Sequence, residues 1–347
     1  MNVALLGITG NFTQNSGAGI QRYMFELYNH LKNSYMNIDK IEFRPIPLIG
    51  SGMSFALHTI FENFNKYDIL HNLMPVPFLK PKLFRESILI TTAHDFQPLL
   101  YPQFTFDHGT TLKDKFWLKL VVKPGFKSTL NSDYLIVISS QTKEEAIELG
   151  FDKTRIFIAS LGLDGRFTNA KVENHVKIKS FKVGYMGALR LRKNIKFAIE
   201  AANQINDKKI EFEFWGKKEY EYKYLISQTK NNNIKFMSFA PEDKLVQIYD
   251  SFDAFVFPSF HEGEGLPILE AQARGLPVII YKYGKIPKEV RKYCFEAESP
   301  EHMAQIIEHI KENGYNEKQR KKATEYARSF TWEKCAKETL EVYKKLK

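Results

Sequence analysis

The sequence predicts an α/β protein of two Rossmann-like domains, each built on a parallel sheet and facing the other across a cleft. Three observations carry this. Short apolar runs alternate along the chain with amphipathic segments of helical period, the βαβα order that gives a parallel sheet with both faces covered. The 347 residues suffice for two domains, and a hydrophobic content of 44% supplies their cores. Residues 169–182 are polar, charged and aperiodic, as an interdomain linker is. The boundaries expected are therefore 1–168 and 169–331, with a last helix over 332–347.

The first domain opens with a buried strand, Val3–Leu6, then Gly7, Gly10 and a long polar loop. Ile20–Leu31 follows as an amphipathic helix with Ile20, Tyr23, Met24, Leu27 and Leu31 on one face. Strand, glycine loop and helix invite a dinucleotide-binding reading, but GITG is not G-x-G-x-x-G. Further strands are expected at Ile41–Pro45, Ile69–Asn72 and Ile88–Thr92. After the last, TTAHDFQPLLYPQF puts His94 and Asp95 at the carboxyl end of a strand, where open α/β sheets bind ligands. A lone histidine there is more often structural. Residues 111–127 mix five lysines with Phe116, Trp117, Leu118, Leu120 and Val121. Two readings stand: a membrane-surface helix, and the favoured one, a core-packed helix with its lysines in water. Pro124 is expected to end it. Tyr134–Ile138 is a strand, Ser139 to Thr142 cap the next helix, and Arg155–Ala159 is another strand.

The second domain begins with the strand Val183–Met186, followed by GALRLRKNIKFAIEAA. A glycine loop leading into a helix supplies N–H groups, and Arg190, Arg192 and Lys193 add cations. The turn is either a phosphate site or a solvated basic turn. Strands at Glu211–Trp215 and Ile234–Phe236 and a helix over Pro241–Asp250 lead to the strand Ala254–Phe257. A loop containing Gly263 and Gly265 comes next. Pro267 suits the first position of a helix Ile268–Arg274, which Gly275 and Pro277 stop before the strand Val278–Tyr281. Helices at 300–313 and 317–329 follow. The start of the 268–274 helix presents unpaired N–H groups and a partial positive charge, ready for phosphate. Yet Glu262 and Glu264 share its loop, and Glu270 lies on the helix. Carboxylates suit a ligand that carries hydroxyls beside its phosphates, as nucleotide-sugars do. The competing reading is that they merely complement the helix dipole.

Composition excludes other classes. The net charge is +10, with 17 Lys+Arg against 15 Asp+Glu in residues 1–170 and 33 against 25 in the remainder. The lysines are scattered among glutamates, as on a solvated face, and no nucleic-acid-binding module is seen. No signal peptide or membrane-spanning run is found. Cys294 and Cys335 lie far apart, which fits a reduced, cytoplasmic compartment. The nine histidines lack metal-ligand spacing and no Asp-x-Asp triplet occurs, so neither metal nor cofactor is expected.

Glu262 and Glu270 form a Glu-x7-Glu pair within PSFHEGEGLPILEAQARGLPVI. This stretch resembles the signature of retaining glycosyltransferases of the GT-B fold, above all the large family numbered four. The resemblance implies that Glu262 contacts the hydroxyls of the donor sugar and Glu270 those of the ribose. The loop amides of Gly263, Glu264, Gly265 and Leu266 would meet the diphosphate. Glu264 stands where an aromatic is usual. Gly17-Ala18-Gly19 with the following Ile20 to Tyr23 resembles the first loop of that family, which covers the donor phosphates. The His94–Pro102 stretch resembles one found among mannosyl- and glucosyltransferases, with His94 on the sugar and Asp95 orienting it. SLGLDGRF resembles the turn that closes the first domain. At the turn after Met186 the family neutralises the diphosphate with an arginine and a lysine, here Arg192 and Lys193, with Arg190 to spare. The last helix would cross back onto the first domain. The implied reaction moves a hexose, mannose or glucose, from a GDP-mannose or UDP-glucose type of donor. The acceptor would be a hydroxyl of a glycan or lipid-linked saccharide, reached with retention and without metal. Residues 111–127 would give a peripheral contact on the cytoplasmic membrane face. A nucleotide-sugar 2-epimerase and a catalytically silent partner subunit share the fold and are the alternatives.

Overall fold

A computed structural model describes residues 1–8, 19–43, 64–74, 87–104, 116, 119, 123–169, 180–218 and 222–346. Contacts divide the chain into two units. One comprises Met1–Pro102, Thr110–Gly162 and Thr331–Lys347; the other comprises Gln103–Gly109 and Leu163–Phe330.

The first unit holds a six-stranded sheet of β1 (Asn2–Ile8), β2 (Asn37–Phe43), β3 (Ile69–Asn72), β4 (Ile88–Ala93), β5 (Tyr134–Val137) and β6 (Ile156–Ile158). Its order is β2-β1-β3-β4-β5-β6, with every pairing parallel. β3 is buried along its whole length, so an uninterrupted apolar and polar run sits inside rather than alternating. β2 starts earlier than its apolar run implied, because as an edge strand it alternates exposed and buried residues and pairs from Asn2↔Asn37 onward. Helix α1 (Gly19–Leu31) buries Tyr23, Met24, Leu27 and Leu31, the face its period defined. A short α2 (Gln97–Leu100) and α3 (Lys123–Thr129) follow. Pro124 stands in the first turn of α3, where its missing N–H is harmless, and so does not end a helix there. The rest of 111–127 lies outside the described residues, apart from Phe116 and Lys119, both exposed. Helix α4 (Ser140–Glu148) is capped by Ser139, whose hydroxyl accepts the Thr142 amide at 3.2 Å.

A buried polar chain runs through this unit. His71 on β3 is hydrogen-bonded through Nδ1 to the Tyr343 hydroxyl and through Nε2 to the Thr92 hydroxyl, at 2.7 Å for the latter. Thr92 is bonded in turn to the Tyr23 hydroxyl at 2.8 Å. A neutral imidazole offers one donor and one acceptor, which hydroxyls on both sides satisfy. Tyr343 belongs to α13 (Trp332–Lys345), which packs on α1 and is capped by Thr331.

The second unit holds β7 (Phe181–Met186), β8 (Ile210–Trp215), β9 (Ile234–Phe236), β10 (Ala254–Phe257), β11 (Val278–Tyr281) and β12 (Phe295–Ala297). The order is β12-β11-β10-β7-β8-β9, again parallel throughout. The helices are α5 (Gly165–Asn169), α6 (Ile195–Gln204), α7 (Tyr222–Ser227), α8 (Leu245–Asp250), α9 (Leu266–Ala273), α10 (Lys288–Arg291), α11 (Pro300–Asn313) and α12 (Glu317–Arg328). The unit begins at Leu163, before the boundary of 168 drawn from composition. Helix α5 explains why: Phe167 packs edge-on to Tyr249 at 5.3 Å, and Arg166 pairs with Glu242 at 2.7 Å. The expected 241–250 helix is split into a 3₁₀ turn, Glu242–Lys244, and α8. Among the described residues, no helix is long and apolar enough to cross a membrane.

Two predictions follow from this packing. A methyl group on Gly184 of β7 would lie 2.2 Å from the buried Phe252 ring. Gly184→Ala is therefore expected to lower stability by about 1–3 kcal/mol, read as a shifted urea midpoint. The second prediction concerns pH. Burial, with the nearby charge of His94, drives His71 from its ordinary 6.5 to about 3. Burial likewise drives His94 to about 4, against a smaller opposite pull from the Leu73 carbonyl. The unfolded chain takes up protons below pH 6.5 that the folded unit refuses, so stability is present above that pH and is lost toward pH 4. A loss of roughly 4 kcal/mol between pH 7 and pH 5 is expected in urea titrations, and His71→Gln should remove about half of it.

Candidate active site

In the second unit the strand order reverses between β7 and β10, which are hydrogen-bonded neighbours with Ala254 opposite Val183. The loops leaving their carboxyl ends run to helices on opposite faces, and this is where open α/β sheets form a ligand crevice. The β7 loop turns through a 3₁₀ segment, Leu191–Lys193, where the Lys193 amide donates to the Arg190 carbonyl at 3.0 Å. Asn194 then takes a left-handed conformation, φ 53°, which asparagine tolerates, before α6 begins.

The β10 loop is held by backbone on its other side. The Lys285 amide donates to the Phe260 carbonyl at 2.8 Å, and the Glu262 amide donates to the Lys285 carbonyl at 2.9 Å. Only a glycine fits at 284, since a Cβ there would lie 2.3 Å from the Ser259 carbonyl oxygen. The Phe260 amide donates to the Arg192 carbonyl at 3.3 Å and ties the two loops together. Gly265, at φ +90°, starts α9, with Leu266 rather than Pro267 as the first helical residue.

These backbone bonds bring the charged side chains together. Lys193 Nζ lies 2.6 Å from Glu262 Oε1, with side-chain exposures of 12% and 9%. Arg192 Nη1 is 3.5 Å from the His261 carbonyl. Burial pushes the Glu262 carboxyl up, but Lys193 and then Arg192 outweigh it, helped by the Ser259 hydroxyl, and it titrates below the ordinary glutamate value. Glu262 is thus ionised at neutral pH, beside two cations and the start of a helix. Such a site offers anion binding and strong hydrogen-bond acceptors a few ångströms apart. Glu264 is buried between the two glycines of the same loop. Glu270 lies on α9, where the Tyr249 hydroxyl donates to its Oε2 at 2.6 Å. Arg190 is half-buried and its carbonyl accepts the Lys193 amide, while Gly263 and Leu266 flank the helix start.

The remaining candidates fall in the first unit. His94 follows β4 and is buried, edge-on to Tyr23 at 4.9 Å. Its Nε2 lies 3.2 Å from the Leu73 carbonyl, which holds the ring in place of the expected Asp95. The Asp95 carboxylate accepts the Gln97 amide at 3.1 Å. The segment is also pinned from α4, where buried Glu145 accepts the Phe96 amide at 3.1 Å. Gly19 is the exposed first residue of α1, and Gly17 lies outside the described residues. Ser259, Tyr249 and the Lys285 backbone were not foreseen. Tyr249 and Lys285 act through partners distant in the chain, which local pattern does not mark. Among the described residues, no group of three His, Cys, Asp or Glu side chains is arranged to hold a metal ion.

The family model for glycosyl transferases group 1 matches residues 167–330. The chain is 23% identical to the O-antigen chain mannosyltransferase B of Escherichia coli, over 74% of this chain and 70% of that one. It spans about half the length of several further curated relatives that it matches. Among solved structures it superposes on the sucrose-phosphate synthase of Thermosynechococcus elongatus with a TM-score of 0.76 at 18% identity, covering 100% of this chain and 99% of that one. Anabaena HepE, solved with UDP-glucose, gives a TM-score of 0.70 at 15% identity, covering 99% and 100%. The matched segment makes up most of the second unit and contains both charged loops of the site, and the fold is that of GT-B enzymes: the chain is a glycosyltransferase whose second unit matches the glycosyl transferases group 1.

Proposed function

We propose that this glycosyltransferase is a retaining, family-four enzyme that moves a hexose from a nucleoside diphosphate sugar to a hydroxyl of a glycan or lipid-linked saccharide, without a metal. The contact between Glu262 and Lys193 carries the reading. It sets an ionised acceptor for sugar hydroxyls against a cation for the diphosphate, within one unit and beside Arg192. In this reading Glu262 grips the hexose, Glu270 takes the ribose hydroxyls, and the amides from Gly263 to Leu266 meet the phosphates. Mannose or glucose as the sugar is supported by the mannosyltransferase among the relatives and by the UDP-glucose bound to HepE. The O-antigen chain in the relative's name supports a glycan acceptor.

The chemistry follows from charge. As the bond from the anomeric carbon to the phosphate oxygen breaks, negative charge grows on the diphosphate. Lys193, Arg192 and the α9 N-terminus stabilise it with groups already in place. The acceptor hydroxyl attacks from the face the phosphate leaves, and its proton passes to the departing phosphate oxygen. His94 of the first unit, neutral at pH 7, enters this reading as a hydrogen-bonding group rather than as a cation. Free Cys294 and Cys335 support a cytoplasmic enzyme, and a lipid-linked acceptor goes with a peripheral membrane contact through 111–127.

Glu262→Gln is expected to cut transfer by about 100-fold or more, measured as nucleoside diphosphate release, with melting temperature checked in parallel. Full turnover in that variant would remove Glu262 from the site. Lys193→Ala should weaken nucleoside diphosphate binding by roughly tenfold in calorimetry, and unchanged affinity would contradict its phosphate role.

A further inference from the structure

We propose that Tyr249 is a positioning residue for Glu270, holding its carboxylate in the orientation that receives the ribose hydroxyls of the donor. The proposal rests on the role given above to Glu270. Tyr249 is fully buried at the end of α8, and its ring is confined on several sides. Phe167 meets it edge-on at 5.3 Å, Phe255 lies tilted against it at 5.4 Å and Phe252 edge-on at 6.3 Å. A ring confined in this way cannot swing its hydroxyl aside. The hydroxyl donates to Glu270 Oε2 at 2.6 Å, the short distance of a charge-assisted bond. Burial, and then the charge of Glu270, raise the Tyr249 pKa well above its ordinary value, so the proton stays on the tyrosine and the bond keeps its direction.

The neighbouring residue repeats the device one turn along. The Asp250 carboxylate accepts Arg274 Nε at 2.6 Å and Nη2 at 2.9 Å, and the Arg274 side chain is 1% exposed. Arg274 is the C-cap of α9, four residues after Glu270, and so continues the same face. Two consecutive residues of α8 thereby grip α9 at successive turns. The ion pair fixes the rotation of the helix, and the tyrosine fixes the plane of the carboxylate that the helix carries.

The test is Tyr249→Phe, which keeps the ring and removes the hydroxyl. Binding of a nucleoside diphosphate and of its 2′-deoxy analogue is measured by calorimetry, with GDP and dGDP or UDP and dUDP. The parent enzyme is expected to favour the ribose form by about tenfold. In Tyr249→Phe that preference should fall below about threefold through loss of affinity for the ribose form alone, with kcat within about twofold and donor KM raised. Equal weakening of both nucleotides, or an unchanged preference, would overturn the proposal. Glu270→Gln separates the two failures. If it abolishes the preference while Tyr249→Phe retains it, the positioning role alone is wrong. If it keeps the parent's preference, or the parent has none, the reading of Glu270 fails and takes the proposal with it.

Discussion

A lysine and a glutamate, 2.6 Å apart and almost out of water, are the contact that ties together the two charged loops of the second unit and on which the proposed function rests. Such a pair is a poor device for stability. Removing two charges from water costs several kcal/mol per ion, and their attraction often does no more than offset it. The cost has a rationale once a ligand carrying both hydroxyls and phosphates is considered. Glu262 stays ionised because Lys193 and Arg192 hold it so, and both cations stay close because Glu262 is there. Under the proposed function, each charge keeps the other ready for a different part of one donor molecule. A water-filled crevice with the same residues on long free side chains would screen them and lose most of the effect.

The sheet makes this pairing unavoidable. β7 and β10 are far apart in sequence but adjacent in space, because the strand order reverses between them. Any loop leaving β7 must therefore meet the loop leaving β10. What the sequence chooses is the charge on each, basic on the first and acidic on the second. The first unit follows the same logic at the carboxyl ends of β3 and β4, where the Leu73 carbonyl reaches the His94 ring. There the residue that meets its neighbour is a histidine that burial keeps neutral, and the contact it makes is a hydrogen bond rather than an ion pair.

Burial decided which elements were legible. β10 and β11 are apolar runs bounded by breakers, and the sequence marks both at their observed ends. β12 is three residues long and mostly half-buried, too brief for any period to show. β2 was misplaced because an edge strand mixes exposed and buried residues, so its apolar run covers only its end. In the site, the residue types and their order along the chain were visible, including Glu262, Glu270 and Lys193. Their partners were not. Spacing says nothing of a tyrosine 21 residues before Glu270, nor of a backbone carbonyl standing where Asp95 was expected. Those are tertiary contacts, and local pattern carries no record of them.

The last helix shows how far such contacts reach. From sequence, α13 is an ordinary amphipathic tail that begins at Trp332. In the first unit its Tyr343 closes a buried chain that continues through His71 and Thr92 to Tyr23, whose ring lies against His94. Without that hydroxyl, His71 would keep a buried ring nitrogen with one bond fewer, at a cost of about 1–3 kcal/mol. Protonating the ring instead is no escape, because burial and the neighbouring His94 both oppose the charge. The tail is therefore part of the core that seats His94, and the helix most distant from that histidine in sequence is among those that fix it in space.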